Sequence, residues 1–338
     1  MTTEKEKTPV CRVILTMGDP AGVGPELCMK ALQHVSSLPN VALTVVGSAR
    51  ILRWIGDQIG ASLELDVQHQ PATEPNTRVI IDYNNISPDV CVPPVPSPEG
   101  GRESLNYIRR GITEIQNGRA DVLVTSPINK EAIAAAGSSY PGHTEMLGEI
   151  TGTAHPVMLL LNDSLKVTFV TKHIAVNDIS SNLNANDITH TATALGRCLT
   201  HDFGVESPRI GVCALNPHAG DGGRFGDEER HIIKPAVEET RQSGLQVDGP
   251  YPSDTLFVKA INGEFDGVVA MYHDQGMIPI KLSGLDHVVN TTLGLPFVRT
   301  SPGHGTAYDI AGKGVADPSS TFSAIRTATT MHRARCAQ

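Results

Sequence analysis

Short apolar runs alternate with longer stretches of helical character along most of the chain. The clearest runs are rich in branched apolar residues, hold few charges and cover residues 12–17, 41–46, 120–125, 166–171, 209–215 and 266–272. Runs of this kind are typical of strands buried on both faces of a mainly parallel sheet. The intervening stretches, such as 25–36, 182–202 and 226–243, are long enough for crossover helices. The pattern therefore predicts an α/β fold.

One segment interrupts this alternation. Residues 71–100 are rich in Pro, Asn and Ser, and they predict an irregular excursion because the strand–helix pattern resumes on both sides. The chain has 338 residues. At roughly 100–200 residues per domain, this length favours about two domains or lobes.

The net charge and the composition of the chain indicate which kinds of molecule the protein does not bind. The formal net charge is -9, which argues against nucleic acid because phosphate neutralisation needs a basic face. The first residues, MTTEKEKTPVCRV, lack the central apolar run of a signal peptide. No apolar run of the sequence approaches the ~18 residues of a membrane span. The six cysteines form no C-x-x-C pair. We therefore expect a cytoplasmic protein with buried, reduced thiols and with neither a nucleic acid nor a membrane as partner.

Histidines follow three of the predicted strands directly. His173 comes after the run at 166–171, His218 after 209–215, and His273 after 266–272. Ligands of open α/β sheets bind beyond the carboxyl ends of the strands. Three imidazoles at that edge could form a metal site with open positions for substrate. A single histidine after a strand is more often a turn or core residue, and the long separations are no local metal signature.

Two loops that lead into predicted helices carry candidate ligand-binding residues. The segment MGDPAGVGPE (17–26) has neither the Lys-Ser/Thr of a Walker loop nor the G-x-G-x-x-G spacing, so it is either a tight turn or a ligand-lining loop. His143 and Thr144 follow a Pro-Gly pair at an expected helix start. A helix N-terminus favours anions, although a capping role for Thr144 explains the pattern as well.

A third group of polar residues lies at 281–299. A Lys, an Asn amide and an Arg fork could together hold a phosphate, and these are Lys281, Asn290 and Arg299. Individually, each could be a surface residue. Arg299 stands out because it closes the apolar segment LPFV.

Taken together and in order, these motifs resemble the 4-hydroxythreonine-4-phosphate dehydrogenase family. The matching segments run from residue 16 to about residue 318 and read MGDPAGVGPE, GHTE, NPHAGDGG, GPYPSDTLF, AMYHDQG, NTTLGLPFVRTS and HGTA. Each motif is weak alone, but their number and order are specific.

The resemblance implies a fold similar to isocitrate and isopropylmalate dehydrogenases, with two α/β lobes around a cleft, in a homodimer. The cofactor lobe would comprise residues 1–135 and 305–338, and the metal, substrate and dimerisation lobe residues 136–304. NAD or NADP would bind the segment HGTAYDIAGKG, with the cofactor contacts Gly303, His304, Gly305, Thr306 and Asp309.

The resemblance also implies roles for the other candidates. One divalent metal (Zn, Mg, Mn or Co) would be bound by His173, His218 and His273, with both subunits contributing to each site. The substrate contacts would be His143, Thr144, Lys281, Asn290 and Arg299. Asp254 and the three histidines would be the catalytic residues.

The implied reaction is metal-assisted oxidation of 4-phosphohydroxy-L-threonine, followed by decarboxylation to 3-amino-2-oxopropyl phosphate, as in pyridoxal phosphate synthesis. Residues 125–145 and Lys172 look closer to a sister branch that acts on D-threonate or D-erythronate 4-phosphate. More distant alternatives are a dihydrodiol dehydrogenase, a phosphate acyltransferase and a non-catalytic binding protein. The acyltransferase needs no histidine triad, and the dihydrodiol enzyme needs no phosphate-binding set.

Overall fold

The computed structural model describes residues 9–338. The part up to α5 contains β1 (Cys11–Thr16), α1 (Gly24–Gln33), β2 (Val41–Gly47), α2 (Ala49–Gln58), β3 (Val67–Gln68), β4 (Arg78–Asp82), α3 (Pro98–Gln116), β5 (Val122–Thr125), α4 (Lys130–Ala135) and α5 (His143–Thr151). The next part contains β6 (Val157–Leu161), β7 (Lys166–Phe169), α6 (Ile179–Asn182), α7 (Ala185–Phe203), β8 (Arg209–Cys213), α8 (Lys234–Gln242), β9 (Gln246–Tyr251), α9 (Ser253–Ile261), β10 (Gly267–Ala270), α10 (His273–Leu282) and β11 (Val289–Leu293). The chain ends with β12 (Val298–Pro302) and α11 (Ser319–Cys336).

The chain divides into two compact units. Unit 1 ends at Met146 and also includes Pro296–Arg333, and unit 2 comprises Leu147–Leu295 and Ala334–Gln338. In unit 1 the strand order is β3-β4-β2-β1-β5-β12, and neighbouring strands are parallel. The central strands are buried on both faces, as in β2, where every residue is buried. This arrangement confirms the predicted α/β class.

Unit 2 has a mixed sheet, and the expectation of a mainly parallel one needs correction there. Its strand order is β11-β6-β7-β10-β8-β9. β6 pairs antiparallel with both β11 and β7, whereas the β7–β10, β10–β8 and β8–β9 pairs are parallel. The link between β6 and β7 is too short for a crossover, so these strands can only be antiparallel. Asn162 closes that turn, since its Oδ1 accepts hydrogen bonds from the backbone N–H groups of Ser164 and Leu165 at 2.9 Å.

The prediction of an irregular segment at residues 71–100 was wrong in part. It contains β4, which pairs with β2 and carries the buried run Val79–Ile81. Three apolar residues between Pro- and Asn-rich flanks are too short a signal to read from the sequence. The predicted runs also extended past the ends of β7, β8 and β10, whose last residues are Phe169, Cys213 and Ala270.

Helices cover both faces of the unit 2 sheet. Val268 and Ala270 of β10 pack in a core cluster with Leu256 of α9 and Ile280 of α10. Successive residues of a strand point to opposite faces. Accordingly, a Cβ built on Gly267 would lie 2.9 Å from the Leu195 side chain of α7. α7 therefore lies on one face of the sheet, and α9 and α10 lie on the other.

The sequence also led to predictions about membrane spans, a signal peptide and the state of the cysteines. Across residues 9–338, no helix is both long and apolar enough to cross a membrane. The sequence also predicts that MTTEKEKTPVCRV is not a signal peptide. This prediction concerns mostly residues 1–8, which lie outside the described residues. All six cysteines are thiols, and five are buried as expected, whereas Cys336 near the chain end is exposed.

Candidate active site

Two of the three predicted metal ligands lie together. β7, β10 and β8 are adjacent and parallel, so the residues that follow them leave the sheet at the same edge. His173 follows β7, and His273 is the first residue of α10. Their ring centroids are 5.9 Å apart, and both line a cavity of about 150 Å³. This spacing allows two imidazoles to share one ion after small rotations of their side chains.

The turn from β10 into α10 fixes the position of His273. Its Nδ1 lies 2.6 Å from Oδ1 of Asp274. A carboxylate on one ring nitrogen orients the imidazole and leaves Nε2 available as a ligand. Gln275 is buried, accepts a hydrogen bond from the Met271 N–H at 2.7 Å and donates one to the Ala214 carbonyl at 2.6 Å. It therefore ties the end of β10 to the end of β8, a role that sequence reasoning missed.

His218 lies in the loop that follows β8. Its φ is 55°, and Ala219 and Asp221 are also left-handed. Asn216 and Glu229 hold the loop, because Oε1 of Glu229 accepts the Leu215 and Asn216 N–H groups at 2.8 and 2.7 Å. His218 itself is exposed. The loop thus presents an imidazole to the surroundings of the chain.

The three histidines do not converge within one chain. Among the described residues, the one group of three potential ligands whose donor atoms lie within 4.8 Å of one another is Cys11, Asp121 and His332, at the opposite, amino-terminal end of β1. His173 and His273 are close to each other, but His218 is not part of any such group. Within residues 9–338 the three histidines therefore do not form one cluster of potential ligands.

Arg299 is a buried cation in β12. Its side chain is among the largest fully buried ones, with 1% exposure, and Nη2 donates a hydrogen bond to Oγ1 of Thr125 at 2.6 Å. Burial lowers the pKa of Arg299 to about 9, and the charge of Glu145 opposes that shift. The guanidinium is thus still charged at neutral pH. A desolvated cation of this kind is strongly attractive to an anionic ligand.

His143 is the first residue of α5, as the sequence predicted for a helix start. Burial, followed by the positive charge of Arg299, lowers the pKa of His143 well below its usual value. The imidazole is therefore neutral. Its Nε2 is buried and has no hydrogen-bond partner within the described part of the chain. A buried polar atom of this kind is costly unless a ligand or water satisfies it. Thr144 is partly buried in the same helical turn.

The remaining predicted substrate and catalytic residues belong to unit 2. Asn290 lies in β11 opposite Leu160, and its buried Oδ1 has no hydrogen-bond partner among residues 9–338. Lys281 is exposed near the end of α10, and Asp254 is exposed in the first turn of α9.

The predicted cofactor segment is held in place by the loop between β1 and α1. The Val23 N–H donates to the Thr306 carbonyl at 2.9 Å, and a Cβ on Gly22 would lie 2.9 Å from the same oxygen. The Tyr308 hydroxyl donates to Oδ2 of buried Asp19 at 2.8 Å. Sequence reasoning left this Gly-rich loop open between a turn and a ligand-lining role. In the structure it supports the segment 303–309, where His304 and Asp309 are exposed.

Glu26 and Lys30 anchor the following residues to α1. Glu26 is fully buried and accepts hydrogen bonds from the Gly314 and Ala316 N–H groups at 3.1 and 2.9 Å. Lys30 donates to Glu26 at 2.7 Å and to the carbonyls of Gly314 and Ala316 at 3.0 and 2.6 Å. The two side chains therefore satisfy one another and four backbone groups.

Glu26→Ala should lower the free energy of unfolding by about 3 kcal/mol, because it leaves the Lys30 charge and two N–H groups without their partner. Urea denaturation of both proteins measures this difference. Glu26→Gln keeps the side-chain volume and one acceptor, so its loss should be smaller. A loss below about 1 kcal/mol for the alanine variant would show that this anchor is not structurally important.

Comparison with known proteins adds independent information. The model of the family described as "Pyridoxal phosphate biosynthetic protein PdxA" matches residues 40–328. A 4-hydroxythreonine-4-phosphate dehydrogenase of Desulforapulum autotrophicum is 41% identical over 317 residues, which is 93% of each chain. A D-threonate 4-phosphate dehydrogenase of Cupriavidus necator is 42% identical over 316 residues, 92% of this chain and 94% of the relative.

A solved structure agrees with this result. The crystal structure of 4-hydroxythreonine-4-phosphate dehydrogenase from Klebsiella pneumoniae superposes with a TM-score of 0.84 at 39% identity, covering 98% of this chain and all of that one (100%). Both the family match and the curated relatives extend over most of the sequence. The chain therefore belongs to the PdxA family and is a dehydrogenase, an oxidoreductase class that implies a nicotinamide cofactor.

Proposed function

We propose that this dehydrogenase oxidises a phosphorylated four-carbon hydroxy acid, with 4-phosphohydroxy-L-threonine as the first candidate. The observation that carries this proposal is the buried charge of Arg299. A phosphate dianion offsets the cost of that burial through charge-assisted hydrogen bonds, which an unphosphorylated diol does not supply. The half-buried, neutral His143, whose buried Nε2 lies near the Arg299 charge, offers a further donor or acceptor in the same unit.

The second candidate is D-threonate 4-phosphate. Relatives of nearly equal identity carry either name, and the segment 125–145 and Lys172 favour the sugar-acid branch. The two substrates share the phosphate, the carboxylate and the hydroxyl that is oxidised, and they differ at the neighbouring carbon, which bears an ammonium or a hydroxyl. Transfer of a hydride from the hydroxyl-bearing carbon to NAD or NADP and loss of the proton from the hydroxyl oxygen give a β-keto acid, which then releases carbon dioxide.

The donor set of the three histidines fits a divalent cation, although one chain does not complete it. Imidazoles suit Zn²⁺ and the neighbouring transition metals, and Mg²⁺, Mn²⁺ and Co²⁺ remain candidates through availability. We propose that His173 and His273 of one chain and His218 of a second chain form the site. When bound, the cation supplies Lewis acidity toward the substrate hydroxyl and the developing enolate.

The segment Gly303–Asp309 is the proposed nicotinamide site. Gly303, Gly305 and Thr306 offer backbone that a flat ligand can approach, and exposed His304 and Asp309 are available for contacts with its adenosine part. NAD or NADP supplies the hydride acceptor. This proposal assigns the cofactor to unit 1 and the metal ligands and dimer contacts to unit 2. The units have other bounds than the predicted lobes 1–135 plus 305–338 and 136–304, since His143, Thr144 and Arg299 belong to unit 1.

A homodimer is the proposed assembly. α9 and α10 lie on the same face of the unit 2 sheet and carry exposed apolar side chains, namely Val258, Ile261, Ile278 and Leu282, with exposures between 49% and 83%. An apolar patch of this kind is typical of a protein interface. A second copy on this face buries the patch and brings a second set of strand-end loops to the first. Asp254 and Lys281 belong to the same two helices, and we propose that they act in the assembled site.

The test offers both substrates to the chelated enzyme with NAD and one divalent cation at a time. Metal-dependent NADH formation with 4-phosphohydroxy-L-threonine, at a higher kcat/KM than with D-threonate 4-phosphate, is the expected result. The reverse preference would replace the first candidate by the second. No turnover of either phosphorylated substrate, with any of the four cations, would contradict the proposed function.

A further inference from the structure

A second charged cavity lies in unit 2, on the face of the sheet covered by α7. Its volume is about 490 Å³, within the range of small-molecule sites. One wall is α7, which contributes His190, Arg197 and His201. These positions are separated by seven and four residues, so they share one face of the helix.

The other walls come from three separate segments of the same unit. His155 precedes β6, Leu293–Leu295 form the end of β11 and the turn after it, and Arg335 lies at the end of α11. The rings of His155 and His190 are 5.8 Å apart, and Nε2 of His190 lies 2.9 Å from the His155 carbonyl oxygen. The cavity thus brings cationic or imidazole side chains together from α7, a loop and the C-terminal helix.

The charge of this cavity is positive in an otherwise acidic chain. Asp202 is buried and bound to Arg335 by hydrogen bonds of 2.5 and 3.2 Å, so these two charges offset one another. Within residues 9–338, no carboxylate forms an ion pair with Arg197, which is exposed. One ring nitrogen of His190 contacts the His155 carbonyl, and Nδ1 of His201 contacts Oε1 of Gln338. The Arg197 guanidinium, the His155 ring and the second ring nitrogens of His190 and His201 therefore remain for an anion.

We propose that this cavity binds a small, elongated anion with two charged groups, at least one of them a phosphate. His201 lies roughly 6 Å from Arg197 along the helix axis, a spacing that two linked phosphates can span, and His190 lies roughly 10 Å from Arg197 in the other direction. A single carboxylate needs only one guanidinium, whereas a row of donors matches charges at two ends of a ligand. Apolar Leu293 and Leu295 on the other wall suit the body of such a molecule.

The site is distinct from the proposed active site. It contains none of the predicted metal, substrate or cofactor residues. It also lies on the sheet face opposite α9 and α10, so the proposed dimer leaves it open.

Calorimetric titration of the full chain with inorganic pyrophosphate, without divalent cations, tests this proposal. Arg197→Gln should weaken one binding event at least about ten-fold, since a charge-assisted hydrogen bond of roughly 1.5–3 kcal/mol is lost. The matched control is Arg53→Gln, which changes an exposed arginine of α2 outside the cavity and should bind like the wild type. Turnover of Arg197→Gln should stay at the wild-type level.

Two further titrations distinguish binding in this cavity from binding in the active site and define the ligand of the cavity. The binding event should persist in Arg299→Gln, and orthophosphate should bind at least about ten-fold more weakly than pyrophosphate. Equal pyrophosphate affinity in wild type and Arg197→Gln, or loss of all binding in a folded Arg299→Gln, would overturn the proposal. Equal affinity for the two probes would overturn the elongated ligand. If Arg299→Gln does not fold, the comparison of Arg197→Gln with Arg53→Gln decides alone.

Discussion

His218→Ala should reduce metal-dependent turnover by more than about 100-fold while the chain stays folded. Removal of groups that merely orient metal ligands already costs 10–100-fold, so loss of a direct ligand should cost more. His218 is exposed and packs into no core cluster, so the free energy of unfolding should change little. Steady-state NADH formation and metal content after dialysis measure the two effects.

The left-handed backbone at His218 requires a second variant. Alanine is strained at a φ of 55°, whereas asparagine tolerates this region. His218→Asn should therefore lose activity and metal to the same extent, with a loop conformation like that of the wild type. Full activity in His218→Asn would falsify the assignment of His218 as a metal ligand.

Arg299→Gln should raise KM for the phosphorylated substrate by roughly 30- to 1,000-fold, which corresponds to about 2–4 kcal/mol of lost binding. The reason is the burial of the guanidinium, which gives its contacts to a phosphate more weight than contacts in water. The KM for NAD should change little if Arg299 contacts the substrate alone. Initial rates over a range of substrate concentrations separate the two constants.

Thr125→Val is the matched control for that experiment. It removes the hydrogen bond that Arg299 donates to Thr125 but leaves the charge in place. We expect a smaller rise in KM, of about three- to ten-fold, through looser positioning of the guanidinium. An unchanged KM in Arg299→Gln would place the phosphate elsewhere.

The sequence predicted the strands that the three candidate histidines follow, because long apolar runs leave a clear signal. It missed β4, where three buried residues lie between Pro- and Asn-rich flanks. It also missed the antiparallel pairing of β6, because strand direction depends on the length of the connection and on partners that are distant in sequence.

For the candidate site, the sequence identified residue types but not their supports. Gln275, Glu26 and Tyr308 act through hydrogen bonds to residues that are up to 290 positions away, and such contacts leave no local pattern. Conversely, the separation of His218 from the other two histidines is visible only in three dimensions. His173 and His273 lie close together at one sheet edge, whereas His218 belongs to no group of three potential ligands among residues 9–338, and we propose that a second chain supplies it.

The shared metal site is the central claim, and a heterodimer tests it most directly. His218→Asn and His273→Asn chains with different tags are co-expressed, and dimers that carry both tags are purified. One of the two sites in such a dimer then has all three histidines, so turnover should recover to about half of the wild-type value per dimer. A heterodimer of His218→Asn with His218→Ala should stay inactive. If the purified His218→Asn/His273→Asn heterodimer turns over substrate no faster than background, this result would contradict a site built from both chains.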